Sequence, residues 1–328
     1  MSSFPIPPAA RIARTLGLGR VAYHVWHRPR GVVCDTIAAG GPLNQWITHR
    51  GHLAMRAAAA RLPPQPAPSP TAPRLAFLTG KKYWHQTAFC AASLLRVADR
   101  PLAFEFIDDG SFDAGFAFDA RRLFPGCLIT DTAAATARLE AALPRSRFPA
   151  LRAQRLTYLH LRKLTDAHAG RTGPQLVLDS DMLFFRRPST LLAWFDSPHL
   201  PLHMTDVEDA YGYPAATLTE IAGTAVPHLV NVGVFGLRSD TINWEKLEHA
   251  CATLLERHGT SYYLEQALSA LLLAGHPACR LPANDYLLLP SEAECRAPTA
   301  VLHHYVAGSK RGYFRHAWRH LLPSAARS

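Results

Sequence analysis

A chain of 328 residues is long enough for one large α/β domain or two average ones, since domains run ~100–200 residues. Hydrophobic residues at 48% and charged residues at 18% exclude wholesale disorder, and apolar runs such as 267–274 fall far short of the ~20 residues of a membrane span. The formal net charge of +10 sits at the ends: residues 1–61 carry eight arginines against Asp35 alone, and residues 295–328 carry six basic residues and no acid. Basic ends on a slightly acidic centre, with no basic–aromatic repeat, argue against nucleic acid as a partner.

The N-terminus lacks a basic segment followed by an apolar one, so no secretory signal is visible. The six cysteines (Cys34, Cys90, Cys127, Cys251, Cys279 and Cys295) are scattered without a CxxC pair. That usage suits a reduced, cytoplasmic chain in which each thiol is a small buried hydrophobe. Residues 1–62 read as a basic, partly helical arm ending in the Ala-rich 55–61. It is either a peripheral membrane or partner-binding element or a helix packed on the main domain. Residues 63–73 hold six prolines and form an extended linker, leaving 74–328 as the catalytic domain.

From there strands and helices alternate. Strands are expected at 75–79, 102–108, 127–130 and 175–178, and helices at 86–97, 133–143 and, as one long element, 149–169. Alternation of this kind predicts a Rossmann-like α/β fold, a mostly parallel sheet with helices on both faces. In such sheets ligands sit beyond the carboxyl ends of the strands. That singles out Gly80, Asp108 and Asp109, Asp131 and Asp179, although turn chemistry alone also accounts for Asp108 to Ser111.

Within 176–185 an apolar strand delivers Asp179 and Asp181, with Ser180 between them. Alternate side chains of an extended chain share a face ~6–7 Å apart, so both carboxylates can serve one hard cation, Mn2+ or Mg2+ in preference to zinc. Farther on, His303, His304, Gly308, Ser309 and Lys310 lie within the acid-free tail. A metal-bound diphosphate would use this set: imidazole on the metal, close backbone approach at Gly308, phosphate oxygens on Ser309 and Lys310. The 229–237 strand carries Asn231, suited to sugar hydroxyls, and Gly233, which makes room for a ligand; a simple bulged strand is the alternative. Glu265 and Gln266 are polar residues in an otherwise apolar helical pattern over 262–273.

At these residues the chain resembles GT-A glycosyltransferases, and among them the family 8-like, galactosyltransferase/glycogenin-type enzymes, over about 74–321. The family's LDxD reads here as Leu178 to Asp181, its N-x-G-V strand as Asn231 to Val234, its DQ helix as Glu265 and Gln266, and its HY with a lysine six residues on as His304, Tyr305 and Lys310. The resemblance implies that Asp179, Asp181 and His304 hold the metal and that Lys310 grips the diphosphate of a nucleotide-sugar donor, a UDP-sugar. It further implies that Leu78, Thr79 and Gly80, with Asp109 nearby, hold the nucleoside, and that Arg162 or Lys163 reaches the phosphates. Asp206 would contact the donor sugar. The chain departs from the pattern at two places: Thr79-Gly80-Lys81 replaces an Asp or Asn loop, and Glu265 replaces an aspartate.

The implied activity is sugar transfer to an acceptor hydroxyl, the acceptor being unknown, with retention at the anomeric carbon. Were the reaction inverting, Asp206, Glu208, Asp209 or Glu265 would be the candidate bases. The rival reading is a haloacid-dehalogenase-like phosphohydrolase, whose DxD lies on the first strand of its domain.

Overall fold

The computed structural model describes residues 40–322. The arm up to residue 39, with Cys34, and the last six residues lie outside the described residues. Residues up to Ala54 form one unit and Met55–Ser328 another. The first is described here by one helix, Pro42–Ala59, longer than the 55–61 segment that composition suggests and extending into the second unit. No helix among the described residues is long and apolar enough to cross a membrane.

Ten strands follow: β1 Arg74–Thr79, β2 Ala103–Asp108, β3 Leu128–Thr130, β4 Pro174–Leu178, β5 Met182–Phe184, β6 Leu202–Thr205, β7 Val230–Arg238, β8 Cys279–Arg280, β9 Tyr286–Leu288 and β10 Leu302–His304. Seven form one sheet in the order β3-β2-β1-β4-β7-β6-β8. The pairs β1–β2, β2–β3, β1–β4 and β6–β8 are parallel, whereas β7 runs antiparallel to both β4 and β6. The sheet is therefore mostly parallel, with one reversed strand beside its centre. A smaller sheet has the order β5-β10-β9.

The two-residue period of the strands sorts side chains to opposite faces. Leu75, Phe77, Leu176 and Leu178 pack with Ala88, Ala91 and Leu94 of helix Trp84–Val97, while Ala76 and Val177 pack on the other face with Ala167. Helices Trp244–His258 and Leu264–Leu273 add a second apolar cluster against Val230, Val232 and Phe235 of β7. Among the described cysteines there is no disulfide; Cys90, Cys251 and Cys295 are buried and Cys127 and Cys279 half-buried.

One expected element differs. The 149–169 segment is not one helix but three pieces: helix Pro149–Thr157, a 3-10 turn Leu159–Leu161, and helix Arg162–His168. Tyr158 leaves the helical region at φ −123 and ψ 92. The interruption is held by tertiary bonds: the Tyr158 hydroxyl donates to the Tyr262 carbonyl at 2.6 Å, and buried Arg155 spans the break to Asp166 with bonds of 2.6 and 2.8 Å. Apolar period alone reads straight through such a break, because it registers burial and not backbone direction. The helix over 262–273 likewise begins later, at Leu264.

Candidate active site

The DxD carboxylates leave the carboxyl end of β4. The Asp179 amide donates to the Gly233 carbonyl of β7 at 2.8 Å, continuing the β4–β7 ladder. The antiparallel β7 thus brings its first residues to the end of β4 at which ligands are expected. His304 arrives from β10, whose register sets it opposite Met182, and the Tyr305 amide donates to the Asp181 carbonyl at 2.9 Å. Parity decides which of the two adjacent histidines faces the carboxylates. His303 points the other way, between Glu294 and the Tyr305 hydroxyl at 2.9 Å from each.

Asp179, Asp181 and His304 offer ligand atoms that all lie within 4.8 Å of one another. His304 Nε2 is 3.4 Å from Asp181 and 3.6 Å from Asp179. Both of its ring nitrogens are buried without a hydrogen-bond partner, which is costly for an imidazole unless something else binds there. Two carboxylates facing one buried imidazole suit a divalent cation of the Mg2+ or Mn2+ type. Burial pushes the Asp181 carboxyl up, but His304 and Lys310 outweigh it and hold it well below the usual range. Burial pushes the His304 imidazole down, and the two aspartates more than reverse this.

Gly233 makes the arrangement possible. A Cβ there would lie 2.5 Å from His304 Cε1 and Nδ1 and 3.0 Å from Asn231 Oδ1. The glycine expected to clear space for a ligand therefore clears space first for the imidazole. Register between β6 and β7 shifts at His203/Met204, so Asn231 and Gly233 sit in an irregularity of β7. The bulged-strand reading of this segment is thus seen in the structure.

Two ammonium groups flank the carboxylates. Lys310 lies 3.1 Å from Asp181, and the buried Lys163 lies 2.9 Å from Asp179 and 3.2 Å from Glu265. Burial disfavours the Lys163 charge, but Asp179 and Glu265 more than compensate. Burial pushes the Glu265 carboxyl up to about 7 against the opposing pull of Lys163. Arg162 instead donates to the Asp108 carbonyl at 2.8 Å, at the end of β2.

Asp206, Asn231 and Gln266 form one buried network. Asp206 Oδ2 accepts from Asn231 at 2.9 Å and from Gln266 at 3.0 Å, while its Oδ1 accepts from the Val207 amide at 2.7 Å. Asn231 Oδ1 in turn accepts from the Gly233 amide at 2.9 Å. Asp209, another acid weighed from sequence, pairs with His228 and the Leu229 amide, both at 2.6 Å. Glu208 lines the cleft.

None of the remaining expected residues lines the cleft that Lys163, Asp206 and His304 share. Leu78 is half-buried and Thr79 and Gly80 are buried at the end of β1. A Cβ on Gly80 would fall 2.1 Å from the Asp109 carboxylate, so glycine lets that side chain fold across the strand end, where it accepts from Ser111. Asp108 caps the loop by accepting from Gly110, Phe112 and Thr132, the turn role that sequence allowed. The Ser180 hydroxyl is bonded to Thr87 at 2.7 Å, and Thr87 to Thr79 at 2.6 Å. Ser309 donates to the Val306 carbonyl at 2.7 Å, and a Cβ on Gly308 would meet nothing within 4 Å.

Lys163, Asp179, Asp206, Asn231, Glu265 and His304, among others, line a cleft of about 360 Å³, whereas Asp181 and Lys310 are not in its lining. Its wall also holds Tyr158, His160, Tyr262 and Tyr263, which the sequence reading left unassigned. The one local signal was an aromatic pair directly before the Glu265-Gln266 helix.

Several solved structures are similar to this chain. Mouse xyloside xylosyltransferase 1 in its apo form aligns over 71% of this chain and 97% of its own at 15% identity, with a TM-score of 0.47. The galactosyltransferase LgtC in complex with donor and acceptor sugar analogues aligns over 77% and 99% at 15% identity, with a TM-score of 0.49. The apo WbbM bifunctional glycosyltransferase aligns over 74% of this chain and 47% of its own at 10% identity and a TM-score of 0.49. No protein-family model and no curated protein sequence matches the chain.

Proposed function

We propose that this chain is a GT-A, family 8-like glycosyltransferase that moves a sugar from a nucleotide diphosphate, a UDP-sugar, to an acceptor hydroxyl with retention. The observation that carries the reading is the convergence of Asp179, Asp181 and the buried His304, flanked by Lys163 and Lys310, at the carboxyl end of β4. Asp179, Asp181 and His304 would hold Mn2+ or Mg2+, which supplies positive charge for a diphosphate leaving group. Lys310 sits where its ammonium can neutralise the same charge as the glycosidic bond breaks. Asn231, held by Asp206, and Gln266 present polar groups to the donor sugar. Asp206 and Glu265 are both committed to internal partners, which suits a retaining reaction in which the leaving phosphate takes the acceptor proton. The phosphohydrolase reading gains no support, since the DxD follows β4 and not β1.

A thermal-shift series with UDP, GDP, ADP and CDP, each with and without Mn2+, tests this. Stabilisation by UDP that requires the metal is expected, at about 2.7 kcal/mol when UDP is present at 100 times its Kd. No shift with any nucleotide would remove the basis of the proposal. An inverted anomer in the NMR spectrum of the product would overturn retention alone.

The arm lends itself to peripheral membrane contact, which is part of the same proposal. In helix Pro42–Ala59 there is no acidic residue, and Leu43, Trp46, Ile47 and Leu53 are exposed on one stripe with Arg50 stacked 5.0 Å over Trp46. An exposed apolar stripe with Trp and basic residues is the pattern of helices that lie in an anionic interface. The full chain is expected to sediment with phosphatidylglycerol vesicles, and Trp46→Glu to lose that binding. Equal sedimentation of the variant would end the membrane assignment.

A further inference from the structure

Helix Trp84–Val97 follows β1 and is buried over most of its length, packing Ala88, Ala91 and Leu94 into the core. Thr87, Cys90 and Ser93 recur through that run at spacings of three residues, which sets them along one stripe of the helix. None of the three is more than 1% exposed. Valine or alanine would fill the same space without burying a hydroxyl, which is unfavourable unless it is bonded. These polar atoms therefore call for partners, and each finds one in the segment 179–184 that carries the DxD carboxylates.

The Thr87 hydroxyl lies 2.7 Å from that of Ser180, the residue between the two aspartates. It also lies 2.6 Å from Thr79 at the end of β1, with the Tyr83 carbonyl farther off at 3.4 Å. Cys90 Sγ, a weak donor, approaches the Asp179 carbonyl at 3.8 Å. Ser93 Oγ accepts from the Phe184 amide at 3.0 Å while it donates to the Cys90 carbonyl at 2.7 Å. The helix thus meets the segment at Asp179, Ser180 and Phe184, while β7 and β10 hold it through the Asp179 amide and the Asp181 carbonyl. Two carboxylates at close quarters repel one another. A backbone fixed from three sides keeps them gathered in spite of that, and ligands held in place beforehand bind a cation better.

From these contacts we infer that Thr87, Cys90 and Ser93 are positioning residues, which hold the 179–184 segment so that Asp179 and Asp181 share one cation with His304. The inference rests on the metal site of the proposed transferase and adds residues that lie behind it, too buried to touch substrate. Thr87 carries the largest part, because its hydroxyl joins β1, the helix and the DxD turn at one point.

The experiment titrates Mn2+ into the full chain, alone and with UDP, and reads free Mn2+ from its EPR signal. Thr87→Val keeps the shape of the side chain and loses its hydroxyl. It is expected to weaken Mn2+ binding about tenfold, the lower end of what loss of support behind a metal ligand does, while Thr87→Ser stays within about twofold of the wild type. Ser180→Ala breaks the same bond from the other side. It should weaken the binding of Mn2+ alone to a like extent, and the double variant should be no weaker than either single one. Ser239→Ala serves as the control, since it loses a buried bond to His168 beyond the far end of β7. It should lower the melting temperature without moving the Mn2+ affinity. Unchanged Mn2+ affinity in Thr87→Val, an equal loss in Ser239→Ala, or fully additive losses in the double variant would each overturn the inference. Were Thr87→Val not to fold, Ser180→Ala, at a half-buried position, decides on the same terms. A wild type that binds no Mn2+ with or without UDP would instead remove the metal site itself, and the inference with it.

Discussion

Asp181→Asn is expected to lower turnover by ~10³-fold, the scale seen when a preorganised group facing transition-state charge is removed. The substitution is isosteric, so packing around β5 and β10 should survive. It removes the anion that Lys310 faces at 3.1 Å and that most strongly favours the charged His304. The nucleotide thermal shift distinguishes a lost metal site from a lost fold. The variant should melt cooperatively near the wild type but no longer respond to Mn2+ in the presence of UDP. Wild-type turnover in Asp181→Asn would contradict the metal assignment outright.

Lys163→Met should be the most damaging single change to stability. The side chain is buried between Asp179 and Glu265, and removing one partner from a buried ionic cluster costs ~3–5 kcal/mol because the remaining charges stay uncompensated. The loss should grow with pH. The folded value of Glu265, about 7, lies above its ordinary 4.5. Its contribution is thus fully present below about pH 4.5 and is lost as pH rises through about 7, on the order of 3 kcal/mol in all. Lys163 stays charged throughout this window, since its own value is raised from 10.5. Urea unfolding of the metal-free protein at pH 5 and pH 8 reads the slope directly. Glu265→Gln should flatten it, and a wild type equally stable at both pH values would contradict the burial account.

Much of the molecule could be read locally. Leu176, Val177 and Leu178 announce a strand buried on both faces, and the carboxylates that follow it land at a carboxyl end because chain direction is fixed once a strand is parallel to β1. His304 over His303 follows from strand parity once β10 pairs with β5. The break at Tyr158 was not legible, because Leu151, Leu161 and Leu164 are buried whether or not the backbone between them stays helical. Nor was the division of labour between adjacent cations. The turn Leu159–Leu161 sets the phase in which Lys163 meets Asp179 while Arg162 meets the end of β2. Gly308 and Ser309 show the converse, a chemically apt pattern whose glycine no internal contact requires and whose hydroxyl is satisfied within its own turn.

By itself the sequence determined the class of fold, the strand ends and the residue types able to bind a cation and a diphosphate, since these depend on periodicity, turn chemistry and ligand hardness over a few neighbouring residues. The uneven charge that first stood out was separable by sequence alone into arm and tail. Only the tertiary structure decided that Gly233 makes room for His304 and that Lys163 bridges Asp179 and Glu265. Each of those depends on contacts between segments tens of residues apart, set by the reversed strand β7 and the register of β10.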